Sequence, residues 1–121
     1  MAKSNADHSD QAVHNQKLLE SIEKNLGKDF LDWRITVIFY VCVHCVDAKL
    51  AQLSLKAHSH IERNALVAWK LADISVDYML LYTESINARS KPEYRKSVDE
   101  TRIEEFEKIM VAVKAIVPIK P

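Results

Sequence analysis

Residues 41–60 read VCVHCVDAKLAQLSLKAHSH, a stretch that suits either a zinc module or a buried helix. Cys42 and Cys45 are two residues apart, twelve residues separate Cys45 from His58, and His60 follows, so the spacing nearly matches a two-cysteine, two-histidine zinc module. Two features argue against a metal. A zinc knuckle turns its backbone sharply beside the paired cysteines, and this stretch has no Gly to make the turn. His58-x-His60 is also tighter than the spacing of a zinc histidine pair. At about 100° per residue, Cys42 and Cys45 lie about 60° apart on one side of a helix, between valines, as free cysteines do when they pack as small hydrophobes. A redox Cys-x-x-Cys would open a helix beside a strand, which this pair does not. The expectation is a core helix with no metal ligand and no cofactor.

Composition agrees with helices. The 121-residue chain has one Gly and three Pro, too few turn-makers for a many-stranded sandwich or barrel. Its length suits one domain around one core. Seventeen basic and seventeen acidic residues cancel, so any charge-driven partner must meet a local patch, and sequence-specific DNA binding is not expected. The opening MAKSNADHSDQ lacks the apolar segment of a secretory signal, so the chain is expected in a cytoplasm with its cysteines reduced. The apolar run Ile35 to Val46 has about half of the roughly 20 residues that a membrane span needs, so no membrane partner is expected.

Hydrophobic spacing predicts four helices. Ala12, Leu19, Ile22 and Leu26 mark the first, over 10–26, with Gly27 to end it. Asp29 or Asp32 caps a second that runs to about Leu53; its middle, ITVIFYVCV, is strand-like in propensity but lies in a long pattern free of Gly and Pro. Ser59 and Glu62 form a capping box for a long third helix through Leu66, Trp69, Ala72, Val76 and Leu80 toward Asn87. Residues 88–97 form the longest internal loop, around Pro92. Ser97 and Glu100 open the fourth helix, whose buried stripe is Ile103, Phe106, Met110, Val113 and Val117, and Pro118 stops it. The fold class is therefore all-α, an antiparallel bundle of four helices over 10–117, with 1–9 disordered and 118–121 a loose tail.

Two helix faces carry the chemistry. Trp33, Val37, Tyr40, His44 and Asp47 fall within roughly 80° on the second helix, and His60, Arg63, Val67, Ile74, Tyr78, Ser85 and Arg89 within about 80° on the third. Polar groups on apolar faces need partners. If the faces meet, they form a pocket of imidazoles, guanidiniums, phenols and a carboxylate. Taken singly, each residue has an ordinary reading: His44 as a hydrogen-bonded core histidine, Tyr40 and Tyr78 as core aromatics, Asp47 with Arg63 as an ion pair. Arg89, Lys91, Arg95 and Lys96 make a basic run that would otherwise be solvated surface. The second helix is apolar nearly all round, which suggests that part of it lies in a subunit interface.

The stretches DWRITVIFYVCVHCVDAKL, SHIERNALV and YMLLYTESINAR, over about residues 29–89, resemble the HEPN superfamily of small helical bundles. The resemblance implies a four- or five-helix up-and-down bundle, a homodimer, a metal-independent endoribonuclease or an inactive relative, and a toxin–antitoxin or defence setting with RNA or a nucleotidyltransferase-type antitoxin as partner. The chain departs from the ribonuclease signature, an Arg followed four to six residues later by a His, since no His follows His60. In its place stands His60-x-x-Arg63, near the positive end of a helix. The sequence leads to a HEPN-like dimer that binds or cleaves RNA. His60, Arg63 and His44 are the candidate catalytic residues, and Tyr40, Asp47, Tyr78, Arg89, Lys91 and Arg95 the binding residues. The alternative is a non-catalytic protein-interaction module or a binder of nucleotides or small anions.

Overall fold

The strand-like stretch ITVIFYVCV lies inside a helix, Leu31–Gln52, buried along most of its length. A computed structural model describes residues 5–26 and 29–117, all of them in helices and their connections. The elements are α1 (Asn5–Leu26), α2 (Leu31–Gln52), α3 (His60–Lys70), α4 (Ala72–Ser90), the single turn α5 (Tyr94–Ser97) and α6 (Glu100–Lys114). α2 is the hub, packed against α1, α4 and α6. Paired residues give the directions. His8 meets His44 while Glu23 meets Arg34, so α1 and α2 run antiparallel. Phe39 contacts Tyr82 and Asp47 reaches back to Arg63, so the α3–α4 arm also opposes α2. Arg34 links three helices, bonding Glu23 of α1 at 3.3 Å and Glu107 of α6 at 3.1 Å. Burial, reinforced by the neighbouring Glu23, raises the Glu107 carboxyl pKa, and Arg34 opposes the rise.

By length and composition α2 is apolar enough to cross a membrane, but 67% of that window is buried within the bundle. Most of its apolar circumference is buried inside one chain, with Trp33 left 56% exposed near its start. Cys42 and Cys45 are wholly buried in this core. The C-terminus of α2 closes by a Schellman arrangement: Leu55 N–H donates to the Leu50 carbonyl at 2.8 Å and Ser54 N–H to that of Ala51 at 3.0 Å. Ser54 takes the left-handed φ of 62° that glycine usually supplies, and it directs the chain from α2 into the segment leading to α3.

Several boundaries differ from expectation. α1 begins at Asn5, inside the segment expected to be disordered, because side-chain bonds at one-turn spacing and the contact of His8 with α2 extend it. Residues 1–4, Gly27 and the 118–121 tail lie outside the described residues. Phe30, not Asp29 or Asp32, precedes α2, with no side-chain cap. Ser59 does cap α3, accepting from Glu62 N–H at 3.1 Å. The α6 cap is Asp99, which accepts from Arg102 N–H at 2.9 Å; the Ser97 hydroxyl instead bonds the Tyr94 carbonyl at the end of α5.

The long third helix is two helices, broken at Leu71, where φ is −128° and ψ 46°. Two apolar registers run along this segment, and the structure buries Val67, Leu71, Ile74, Tyr78 and Leu81, which set Tyr78 against Phe39. Leu71 leaves helical geometry while its side chain stays in the core. The register expected inside points out: Trp69 is 65% and Val76 82% exposed. On α6 the expected stripe of Ile103, Phe106, Met110 and Val113 is buried.

These assignments set contrasting costs. Phe106→Ala should lower the urea-unfolding free energy by about 3–5 kcal/mol, as aromatic truncations in cores do. Val76→Ala should change it by about 0.5 kcal/mol or less, as surface substitutions do.

Candidate functional site

Where α2 ends and α3 begins, Tyr40, His44, Asp47, His60 and Arg63 line a cleft of about 960 Å³, together with His8 of α1 and Lys56 and His58 of the connecting segment. The α2 contributors stand three or four residues apart, so they share a face. His60 and Arg63 stand three apart in the first turn of α3, fixed by the Ser59 cap.

The innermost interaction is a fork. Arg63 donates from Nε to Asp47 Oδ1 at 2.8 Å and from Nη2 to Oδ2 at 3.1 Å, with the two side chains only 12% and 11% exposed. Burial opposes the Arg63 charge, but the Asp47 hydrogen bonds and charge outweigh it and raise the guanidinium pKa. The third edge of the guanidinium serves His60: Nη1 lies 3.1 Å from His60 Nδ1. Arginine only donates, so Nδ1 accepts and the neutral ring carries its proton on Nε2. Phe39 and Tyr82 hold the imidazole from the sides, with ring centroids 5.7 and 5.6 Å away. Burial first, then the charges of Arg63 and Arg89, lower the His60 pKa against the weaker pull of Asp47.

The other candidates separate. Arg89 donates from Nη1 to the Tyr40 hydroxyl at 2.5 Å and lies over the Tyr40 ring, at the edge of the cleft. Tyr78 does not reach the cleft surface: it is wholly buried behind it, and its hydroxyl has no hydrogen-bond partner among the described residues. Burial raises the Tyr78 pKa, so the phenol stays protonated. Lys91 is exposed and lines a separate pocket of about 350 Å³ with Trp33 and Arg89. Arg95 is in α5, but its side chain lies outside the described residues. Burial, with Cys45 adding to it, raises the Cys42 thiol pKa, and burial pushes Cys45 up to about 11, so both thiols rest protonated in the core, apart from His58 and His60 in the cleft.

Sequence reasoning missed His8, Lys56 and His58 as lining residues. A signal for His8 existed: carrying the spacing of Ala12, Leu19 and Ile22 back by four residues reaches it. Comparison with protein-family models, curated proteins and solved structures finds no match. The HEPN resemblance rests on the quoted residues alone.

A His60 with a lowered pKa leaves a mark on stability. Between the folded pKa and the unfolded value of about 6.5, the unfolded chain binds more protons, so this contribution is complete above about 6.5 and is lost as pH falls through the folded value. The urea midpoint of wild type should fall more than that of His60→Asn between about pH 7.5 and 5.5; equal slopes would contradict the assignment.

Proposed function

We propose that the chain is a HEPN-like helical protein whose cleft binds the phosphate backbone of RNA. The observation that carries this reading is the charge inventory of the cleft. Among the described lining residues Asp47 is the only carboxylate, and Arg63 occupies both its oxygens. Against it stand the cations Lys56 and, at the Tyr40 edge, Arg89, while His8, His44, His58 and His60 add imidazole hydrogen-bonding groups. A concave surface with that imbalance attracts anions even on a chain of net charge zero. The α3 N-terminus opens on the same wall, adding backbone N–H groups and the positive end of a helix dipole.

The geometry supports binding better than cleavage by His60 and Arg63. A general base needs a free lone pair, and that of His60 Nδ1 is taken by Arg63. Arg63 is itself occupied by Asp47, so phosphate contacts fall to Arg89, Lys56 and the His60 Nε2–H. The HEPN likeness names RNA as the phosphate source. It also implies a homodimer, for which the exposed Ile61, Trp69, Val76 and Leu80 of α3 and α4 offer apolar surface.

Fluorescence anisotropy with a labelled single-stranded RNA at about 50 mM salt tests the reading. Arg89→Ala and Lys56→Ala should each weaken binding several-fold and each reduce the salt slope by about one. Light scattering on the same samples should give twice the chain mass for wild type and a monomer for Trp69→Glu. Absence of RNA binding at that salt, with inorganic phosphate also failing to bind, would overturn the assignment; a monomeric wild type would remove the dimer.

A further inference from the structure

Beside the Asp47–Arg63–His60 chain the cleft holds a second group of ligating side chains: His8 of α1 with His44 and Asp47 of α2. Each offers one ligand atom, and the three atoms lie within 4.8 Å of one another. His8 Nδ1 and His44 Nδ1 are 3.3 Å apart. The rings are tilted by 32° with centroids 5.5 Å apart, so the nitrogens converge while the rings do not stack. A tetrahedral metal with nitrogen ligands at about 2.0–2.1 Å sets those nitrogens about 3.3–3.4 Å apart, and the imidazole pair has the spacing of one edge of such a polyhedron. His44 and Asp47 stand one turn apart on a single helix face, and His8 approaches from the antiparallel neighbour.

We infer that His8, His44 and Asp47 form a binding site for a divalent first-row transition metal, with two imidazole nitrogens and one carboxylate oxygen as ligands. The inference does not depend on the RNA reading. Two nitrogens and one oxygen suit zinc, cobalt, nickel, manganese or ferrous iron; calcium and magnesium prefer oxygen alone. All three residues are half-buried and line the cleft, so the remaining coordination positions face solvent and an incoming ligand. Arg63 is compatible with this role. A carboxylate has about four lone-pair sites and the guanidinium fork uses two, leaving Asp47 able to ligate while Arg63 fixes its orientation, as outer-shell partners do. The competing account of the 3.3 Å contact is a hydrogen bond between two neutral imidazoles, which needs no ion.

The deciding experiment titrates the full chain, stripped of metal with chelator, with Co²⁺ and with Zn²⁺, read by calorimetry and by the visible spectrum of bound Co²⁺. The expected result is one ion per chain, with the intense visible bands of four- or five-coordinate cobalt. His8→Ala and His44→Ala should each weaken binding by more than about 100-fold, the upper end of what losing an outer-shell partner costs. Cys42→Ser and His58→Ala should bind as wild type does. His8→Gln, with its helix content checked by circular dichroism, separates ligand loss from unfolding and should also lose the ion. No saturable binding of either ion tighter than about 100 μM would overturn the site in favour of the imidazole hydrogen bond. Wild-type affinity in folded His8→Gln would overturn it equally.

Discussion

The Asp47–Arg63 fork is the constraint on which the cleft depends. α3 is an 11-residue helix with a single buried side chain, Val67, and its apolar Ile61 and Trp69 face outward. So little buried surface gives α3 no strong hydrophobic hold on α2. The two hydrogen bonds from Arg63 to Asp47 tie it to α2 instead, and set the position of everything on the first turn of α3. A buried ion pair must recover a desolvation cost of several kcal/mol per ion, and it does so only with good geometry and its remaining donors satisfied. Here the fork is bidentate and its third edge is used by His60. Removing one partner would leave the other charge buried and alone.

The position of the fork follows from α2. One side of that helix, through Ile35, Ile38, Cys42 and Cys45, is core, and its contacts with α1, α4 and α6 fix its rotation. Fixing the rotation fixes where Tyr40, His44 and Asp47 project. The Ser54 turn then returns the chain so that Ser59 can cap α3 beside them, bringing His60 and Arg63 to the same wall. A hydrophobic hub, a left-handed turn and one capped helix start thus bring together residues from three helices. The same geometry turns the acceptor nitrogen of His60 toward Arg63.

The helical class and the α6 stripe could be read from the sequence because both depend on local spacing: Ile103, Phe106, Met110 and Val113 recur on one face and bury together. So could the core cysteines, since a mid-helix pair between valines has no means of turning toward a metal. The break at Leu71 could not, because neither Gly nor Pro marks it and two apolar registers fit the same segment. The choice between them is tertiary, made where Tyr78 meets Phe39. Ser97 was the expected cap of α6, but the one-turn α5, invisible to periodicity, takes its hydroxyl, and Asp99 caps α6 instead. In the site, His44, Asp47, His60 and Arg63 stood out as polar interruptions of apolar faces. His8 sat in a polar stretch whose helicity comes from its neighbours, and Lys56 and His58 lie on a connection that periodicity does not address.

If the fork organises the cleft, its two members must be energetically coupled well beyond a surface pair. A double-mutant cycle on Asp47→Ala and Arg63→Ala, measured by urea unfolding, tests this most directly. The account predicts a coupling energy of about 2–3 kcal/mol, with the double variant more stable than the sum of the single losses implies. A coupling below about 0.5 kcal/mol, the range of exposed ion pairs, would contradict it.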